Sequence, residues 1–171
     1  MKIVQMKIFK DAISDETWKA CIDELNANLF DKGWKVSNLA WPTRSRVGID
    51  GTVLIKAVSK ELRFLLLEDL KEYLPYCNSF AINMHVWMPN SGVATHNDSE
   101  HKYGATIYLN QNWYADLGGI FVWWDKNTNE MRGLVPECKT LVLNDEHEDH
   151  LVTIVSTHAP EPRISIQIFA T

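Results

Sequence analysis

A chain of 171 residues, 46% apolar and 23% charged, suffices for one domain that buries about two-thirds of its unfolded surface, and it is too apolar to be disordered. A net charge of −5, with no stretch both basic and aromatic, excludes a general nucleic-acid groove. Lys2, Lys7 and Lys10 interrupt the opening residues, leaving neither a signal-peptide core nor a membrane span, so the expected location is cytoplasmic and no membrane partner is expected.

The first expected element is a helix capped by Ser14 or Asp15, with Trp18, Cys21, Ile22, Leu25 and Leu29 at helical spacing and Gly33 ending it. Residues 34–58, punctuated by Pro42, Gly48 and Gly51, read as loop and short strand. A second helix starts after Ser59 and carries the stripe Leu62, Leu65, Leu66, Leu70, Tyr73 and Leu74 until Pro75 stops it. After residue 80 the period changes from 3.6 to 2. FAINMHVWM, GATIYLN, GGIFVWW, TLVLN, HLVTIVS and RISIQIFA read as strands, within an expected total of about six to eight. Helices followed by strands predict an α+β chain whose sheets close as a sandwich or barrel, with the helices supporting one sheet from outside. Cys21, Cys77 and Cys138 lie far apart, without a C-x-x-C pair, and read as reduced thiols. Seven tryptophans suit either a β core or an aromatic-lined cleft.

Chemistry concentrates in the second half. In His96-Asn97-Asp98 the imidazole and the carboxylate project from one side of an extended chain and can hold a metal from that side, or simply hydrogen-bond each other. His150, Val152 and Ile154 share a strand face, so this histidine looks into an apolar interior, where an unpaired imidazole is costly. His147, in the charged turn NDEHED, is the competing third ligand but reads as solvated. His101 reads as surface or cleft rim, and His85 and His158 have no metal-type spacing. Two histidines and one carboxylate suit a non-haem Fe(II) site with open positions; zinc is the alternative. Thirteen residues after His150, Arg163 alternates with Ser165 against Ile164, Ile166 and Ile168. That places a guanidinium fork and a hydroxyl together on the polar face, where they fit a carboxylate.

His96-x-Asp98, Tyr108-Leu109-Asn110, Gly118-Gly119, Pro136, His150-x-Val152 and Arg163-x-Ser165, in this order and spacing, resemble the prolyl-4-hydroxylase branch of the Fe(II)/2-oxoglutarate dioxygenases, notably its compact phage-encoded members. The resemblance covers about residues 80–171. It implies a double-stranded β-helix, a jelly roll of two antiparallel sheets, forming one domain over residues 1–171, with helical support over about 1–79 and the jelly-roll core over about 80–171. It also implies Fe(II) on His96, Asp98 and His150. The distal carboxylate of 2-oxoglutarate would lie on Arg163, with Ser165 and Tyr108 assisting. The implied reaction consumes O2 and 2-oxoglutarate, releases succinate and CO2, and hydroxylates an unactivated C–H bond, with ascorbate as an auxiliary cofactor. A phage-encoded member would work in the host cytoplasm.

Some features depart from the pattern. Met88 precedes Pro89 where many relatives carry a tyrosine, which makes that side of the pocket less polar. The segment STHAPEP is longer than in some relatives and reads as a loop near the pocket mouth. Asp98 fills the position that halogenating relatives leave for halide, so hydroxylation is implied. A prolyl residue in a peptide or protein is the family's default substrate, with a small molecule as the alternative. SRVGIDGTV and NQNWYADLGG read as cleft walls, and Trp113, Tyr114, Trp123 and Trp124 as candidates to stack on a proline ring, although Trp123 and Trp124 point to opposite faces. The competing class is a cupin-like metal-binding barrel or a non-catalytic ligand-binding jelly roll, neither needing Arg163 inside. Oligomeric state is not written in the sequence.

Overall fold

The computed structural model describes residues 6–27, 33–36, 49–145 and 147–171, with only the backbone at 49–50. Leu29, Pro42, Gly48 and the SRVG part of one expected cleft wall lie outside the described residues.

Helix α1 spans Asp15–Ala27 and buries Thr17, Cys21 and Leu25, one residue per turn. Ser14 is its cap: the Ser14 hydroxyl accepts the Thr17 backbone N–H at 3.1 Å. Helix α2 spans Lys60–Leu70, is capped by Ser59, and buries Leu62, Leu66 and Leu70. Each helix also secures the other's cap. Glu24 of α1 accepts the Ser59 N–H at 2.8 Å, and Asp69 of α2 accepts the Ser14 N–H at 2.7 Å. Helix α2 ends one turn before the expected Leu74. The N–H groups of Tyr73 and Leu74 both turn back onto the Leu70 carbonyl, because Pro75 disfavours helical dihedrals at the residue before it.

The described residues also form twelve strands, in chain order: β1 (Lys7–Phe9), β2 (Lys35–Val36), β3 (Ile49–Asp50), β4 (Val53–Ala57), β5 (Phe80–Trp87), β6 (Gly92–His96), β7 (Tyr103–Tyr108), β8 (Phe121–Asp125), β9 (Glu130–Leu134), β10 (Leu141–Asn144), β11 (His150–Val152) and β12 (Arg163–Ala170). They form a seven-stranded antiparallel sheet ordered β1-β10-β7-β12-β5-β4-β2 and a five-stranded one ordered β3-β6-β11-β8-β9. The two sheets make the jelly roll. β12 lies at the centre of the large sheet, between β5 and β7. Its Ile164, Ile166 and Ile168 join the buried leucines of both helices in one core. Its opposite face turns toward the small sheet. There Trp87, Tyr108, Trp113, Phe121, Trp123 and Val152 belong to a second, inter-sheet core.

Several expectations need correction. Gly92–His96 and Glu130–Leu134 are strands that the sequence reading did not single out, which brings the strands after residue 80 to eight among the described residues. β9 escapes a pattern search because EMRGL sits on an edge with no buried residue and therefore no apolar alternation. The expected run HLVTIVS is a strand only to Val152. A register irregularity against β6 breaks it, so Ile154 is 46% exposed and Val155 takes the interior position instead. The first half of the chain is also less helical than expected, since β1, β2 and β4 extend the large sheet and β3 extends the small one. Trp113 and Trp123 are core, whereas Trp124 and Tyr114 are exposed. The three cysteines are free.

Candidate active site

The register of the small sheet builds the first half of the site. His150 of β11 pairs directly with His96 of β6, so their rings stand side by side with centroids 4.3 Å apart. Asp98 follows β6 by two residues, and its Oδ2 lies 3.6 Å from His150 Nε2. Ligand atoms of His96, Asp98 and His150 all fall within 4.8 Å of one another. The Nδ1 of each histidine is occupied by a backbone carbonyl at 2.9 Å, Ala94 for His96 and Glu148 for His150. These bonds fix each ring with Nδ1 as the donor, so Nε2 is the nitrogen each ring would offer a metal. The Asn144 side chain holds Glu148 in place, donating to its carbonyl and accepting its N–H, and Phe121 stacks on the His150 ring at 5.0 Å.

Gly104 makes room for Asp98. A Cβ there would meet Asp98 Oδ2 at 2.7 Å. Two imidazole nitrogens and one carboxylate on one side of a point fit a non-haem Fe(II) with open positions.

The second half of the site lies on β12 and its neighbours. Arg163 is 1% exposed, and its guanidinium carbon sits 5.1 Å from both the Trp87 and the Tyr108 ring centroids, between two aromatic walls. Gly119 closes over its stem, since a Cβ at this left-handed position would meet Arg163 Cδ at 2.6 Å. Among the described residues no carboxylate pairs with Arg163, so a buried cation stands without its counter-charge. Arg163 Nε, the Tyr108 hydroxyl and the Ser165 hydroxyl are all buried without hydrogen-bond partners. Burial lowers the Arg163 pKa and pushes the Tyr108 phenol up to about 12, so Tyr108 is a neutral donor. Unsatisfied buried donors around an uncompensated cation are the signature of an anion-binding pocket.

One pocket joins the two halves. His96, Asp98 and His150 line it together with Arg163, while Val93, Phe121 and Val152 supply apolar wall. Thr106 and Gln167 also line it, and the Thr106 hydroxyl donates to Gln167 Oε1 at 2.7 Å. His147 is not part of the three-residue cluster. His101 stacks on the pocket residue Phe169 at 4.4 Å, a rim position as expected, and His158 is exposed. His85 is the residue that sequence reasoning missed. It lies on the pocket wall, 3% exposed, opposite Ser165, and burial followed by the nearby Arg163 charge depresses its pKa to about 3. Strict alternation with Trp87 along β5 was the available signal. The STHAPEP loop does not line the pocket. It is tied down by Asn110, which donates to Glu161 at 3.0 Å and to the Pro162 carbonyl at 2.9 Å and accepts the Ile164 N–H at 2.7 Å. Met88 packs against the helix-side core, and Trp87 provides the aromatic wall beside Arg163.

No family model and no curated protein sequence matches the chain. Solved structures do match it. A prolyl hydroxylase from Trichoplax adhaerens, in complex with a peptide fragment of the hypoxia inducible factor oxygen degradation domain, superposes with a TM-score of 0.79 at 15% identity, covering 98% of this chain and 83% of that one. A prolyl-4-hydroxylase from Pseudomonas putida gives 0.72 at 15% identity, covering 96% and 91%. The viral collagen prolyl hydroxylase of Paramecium Bursaria Chlorella virus-1, in its 2OG complex, gives 0.62 at 13% identity, covering 97% and 96%. With a His-Asp-His cluster between its two sheets, the chain has the jelly-roll fold of the prolyl hydroxylases and other 2OG-Fe(II) oxygenases.

Proposed function

We propose that the chain is an Fe(II)- and 2-oxoglutarate-dependent dioxygenase that hydroxylates an unactivated C–H bond, with a prolyl residue of a peptide or protein as its substrate. One observation carries this reading: a single pocket is lined both by two imidazoles and a carboxylate and by a buried guanidinium that no carboxylate among the described residues pairs. A cupin-like or non-catalytic jelly roll has no use for that buried cation.

In this reading His96, Asp98 and His150 hold Fe(II). Arg163, Ser165 and Tyr108 take the distal carboxylate of 2-oxoglutarate. The bound iron supplies dioxygen activation, so that R–H, O2 and 2-oxoglutarate become R–OH, succinate and CO2. The protein's own residues orient and exclude. The Nδ1 hydrogen bonds aim both imidazoles, the aromatic walls hold the Arg163 plane, and Val93, Phe121 and Val152 keep the wall dry. Asp98 occupies the position a halide would need, so hydroxylated rather than chlorinated product is expected. The neighbour solved with a peptide supports a peptide substrate.

The first test is thermal unfolding with Mn(II) and N-oxalylglycine, an unreactive analogue of 2-oxoglutarate. A ligand at one hundred times its Kd raises the midpoint by about 5–10 °C for a domain of this size. No shift would sink the 2-oxoglutarate reading. Substrate class is then read from succinate release, with ascorbate present, across prolyl peptides, proline-free peptides and free amino acids. The proposal expects release, and a product gaining one oxygen atom, with prolyl peptides alone.

A further inference from the structure

His85 does not belong to the cation–carboxylate scheme just described, yet it faces the same space. It sits on β5 directly opposite Ser165, one alternation from the Trp87 ring that stacks on Arg163. Its own ring lies 6.3 Å from that of Trp87. It is 97% removed from solvent by its 3% exposure, and among the described residues it has no hydrogen-bond partner. A core histidine that serves only packing normally satisfies its ring nitrogens, because leaving them bare is costly. Here the open side is the pocket.

We propose that His85 is a hydrogen-bond donor to the distal carboxylate of the co-substrate, a positioning residue that completes the set formed by Arg163, Ser165 and Tyr108. The inference rests on the 2-oxoglutarate reading above and deepens it. A carboxylate offers about four lone-pair sites. Arg163 and Ser165 stand on β12 and Tyr108 on β7, whereas His85 stands on β5, the strand on the other side of β12. Burial and Arg163 keep the imidazole neutral, so it contributes an N–H without a second positive charge. The carboxylate end of the pocket thus keeps one formal cation, matched to one monoanionic carboxylate.

The test is calorimetric titration of N-oxalylglycine into Mn(II)-saturated protein, with Mn(II) affinity measured separately. Replacing the ring by one that cannot hydrogen-bond, His85→Phe, should weaken N-oxalylglycine about tenfold or more and leave Mn(II) affinity unchanged. His85→Gln returns an N–H donor of similar reach and should recover most of the loss, which a role in shape alone would not predict. Unchanged affinity in His85→Phe overturns the proposal, and so does an equal loss in both variants. Arg163→Ala separates the two levels of the argument. If wild type binds, Arg163→Ala fails to bind and His85→Phe binds normally, only the role of His85 falls. If wild type with Mn(II) does not bind N-oxalylglycine at all, the 2-oxoglutarate reading and the role of His85 fall together.

Discussion

Along the first half of β12, from Arg163 to Ile166, both faces are buried and differently finished. Ile166 and Ile168 on the helix side are 0% exposed, and Arg163 and Ser165 on the sandwich side are each 1% exposed. The isoleucines meet Leu62, Leu66 and Leu70 and need nothing further. The other face retains a cation without counter-charge and hydroxyls without partners. Folding completes the first face; in the proposed function an anionic ligand completes the second. Burial alone therefore does not distinguish stability from function along this strand; the satisfaction of buried polar groups does.

Substitutions on and near the two faces can break or sharpen that contrast. The largest effect belongs to the metal cluster: Asp98→Ala should abolish Fe(II)-dependent 2-oxoglutarate turnover, measured as succinate release, while circular dichroism reports an intact fold. Asp98 is 6% exposed, so the carboxylate removed is buried rather than open to solvent. Next, Ile166→Ala on the helix side should cost about 2–5 kcal/mol of stability in urea unfolding and leave the KM for 2-oxoglutarate unchanged. Arg163→Ala on the opposite face should reverse that pattern. Its KM for 2-oxoglutarate should rise at least about tenfold, its stability loss should be smaller than that of Ile166→Ala, and Mn(II) affinity should hold. Arg163→Lys should fall between wild type and Arg163→Ala, since it keeps the charge and loses the fork. A stability loss in Arg163→Ala as large as that of Ile166→Ala, with normal KM, would erase the distinction between the faces.

The smallest effect concerns pH. Burial lowers the His85 pKa from 6.5 to about 3. The unfolded chain therefore binds a proton below pH 6.5 that the folded protein refuses until about pH 3. Stability from this group is fully present above pH 6.5 and is lost as pH falls toward 3. Between pH 7 and pH 5 wild type should lose about 2 kcal/mol more than His85→Phe in urea unfolding. Equal losses would show that His85 is already charged or solvated.

Much of this site was legible because strand alternation converts sequence parity into geometry. His96 and Asp98, two residues apart, come together with His150 on the pocket, and Arg163 and Thr106 line the same pocket, while Ser165 and Tyr108 face each other across β12 and β7 without lining it. Parity failed where the ladder is irregular, as at Ile154, whose expected inward face is lost when β11 ends at Val152. It also failed where a strand lacks an apolar face, as in β9. His85 was passed over because metal spacing was the only question asked of it; its parity with Trp87 already placed it beside Arg163. Gly104 was readable in principle, since a glycine inside a strand signals close approach of another group.

Gly104 also separates two properties that usually fail together. Its backbone is ordinary strand, so an alanine would meet no dihedral strain, and the atom in its way is the end of a rotatable side chain. One methyl group would thus turn the Asp98 carboxylate aside while leaving the sheet intact. Such a protein would keep the shape of its surface and lose the geometry of its metal cluster. It would serve as a decoy, able to engage the enzyme's substrate and unable to change it.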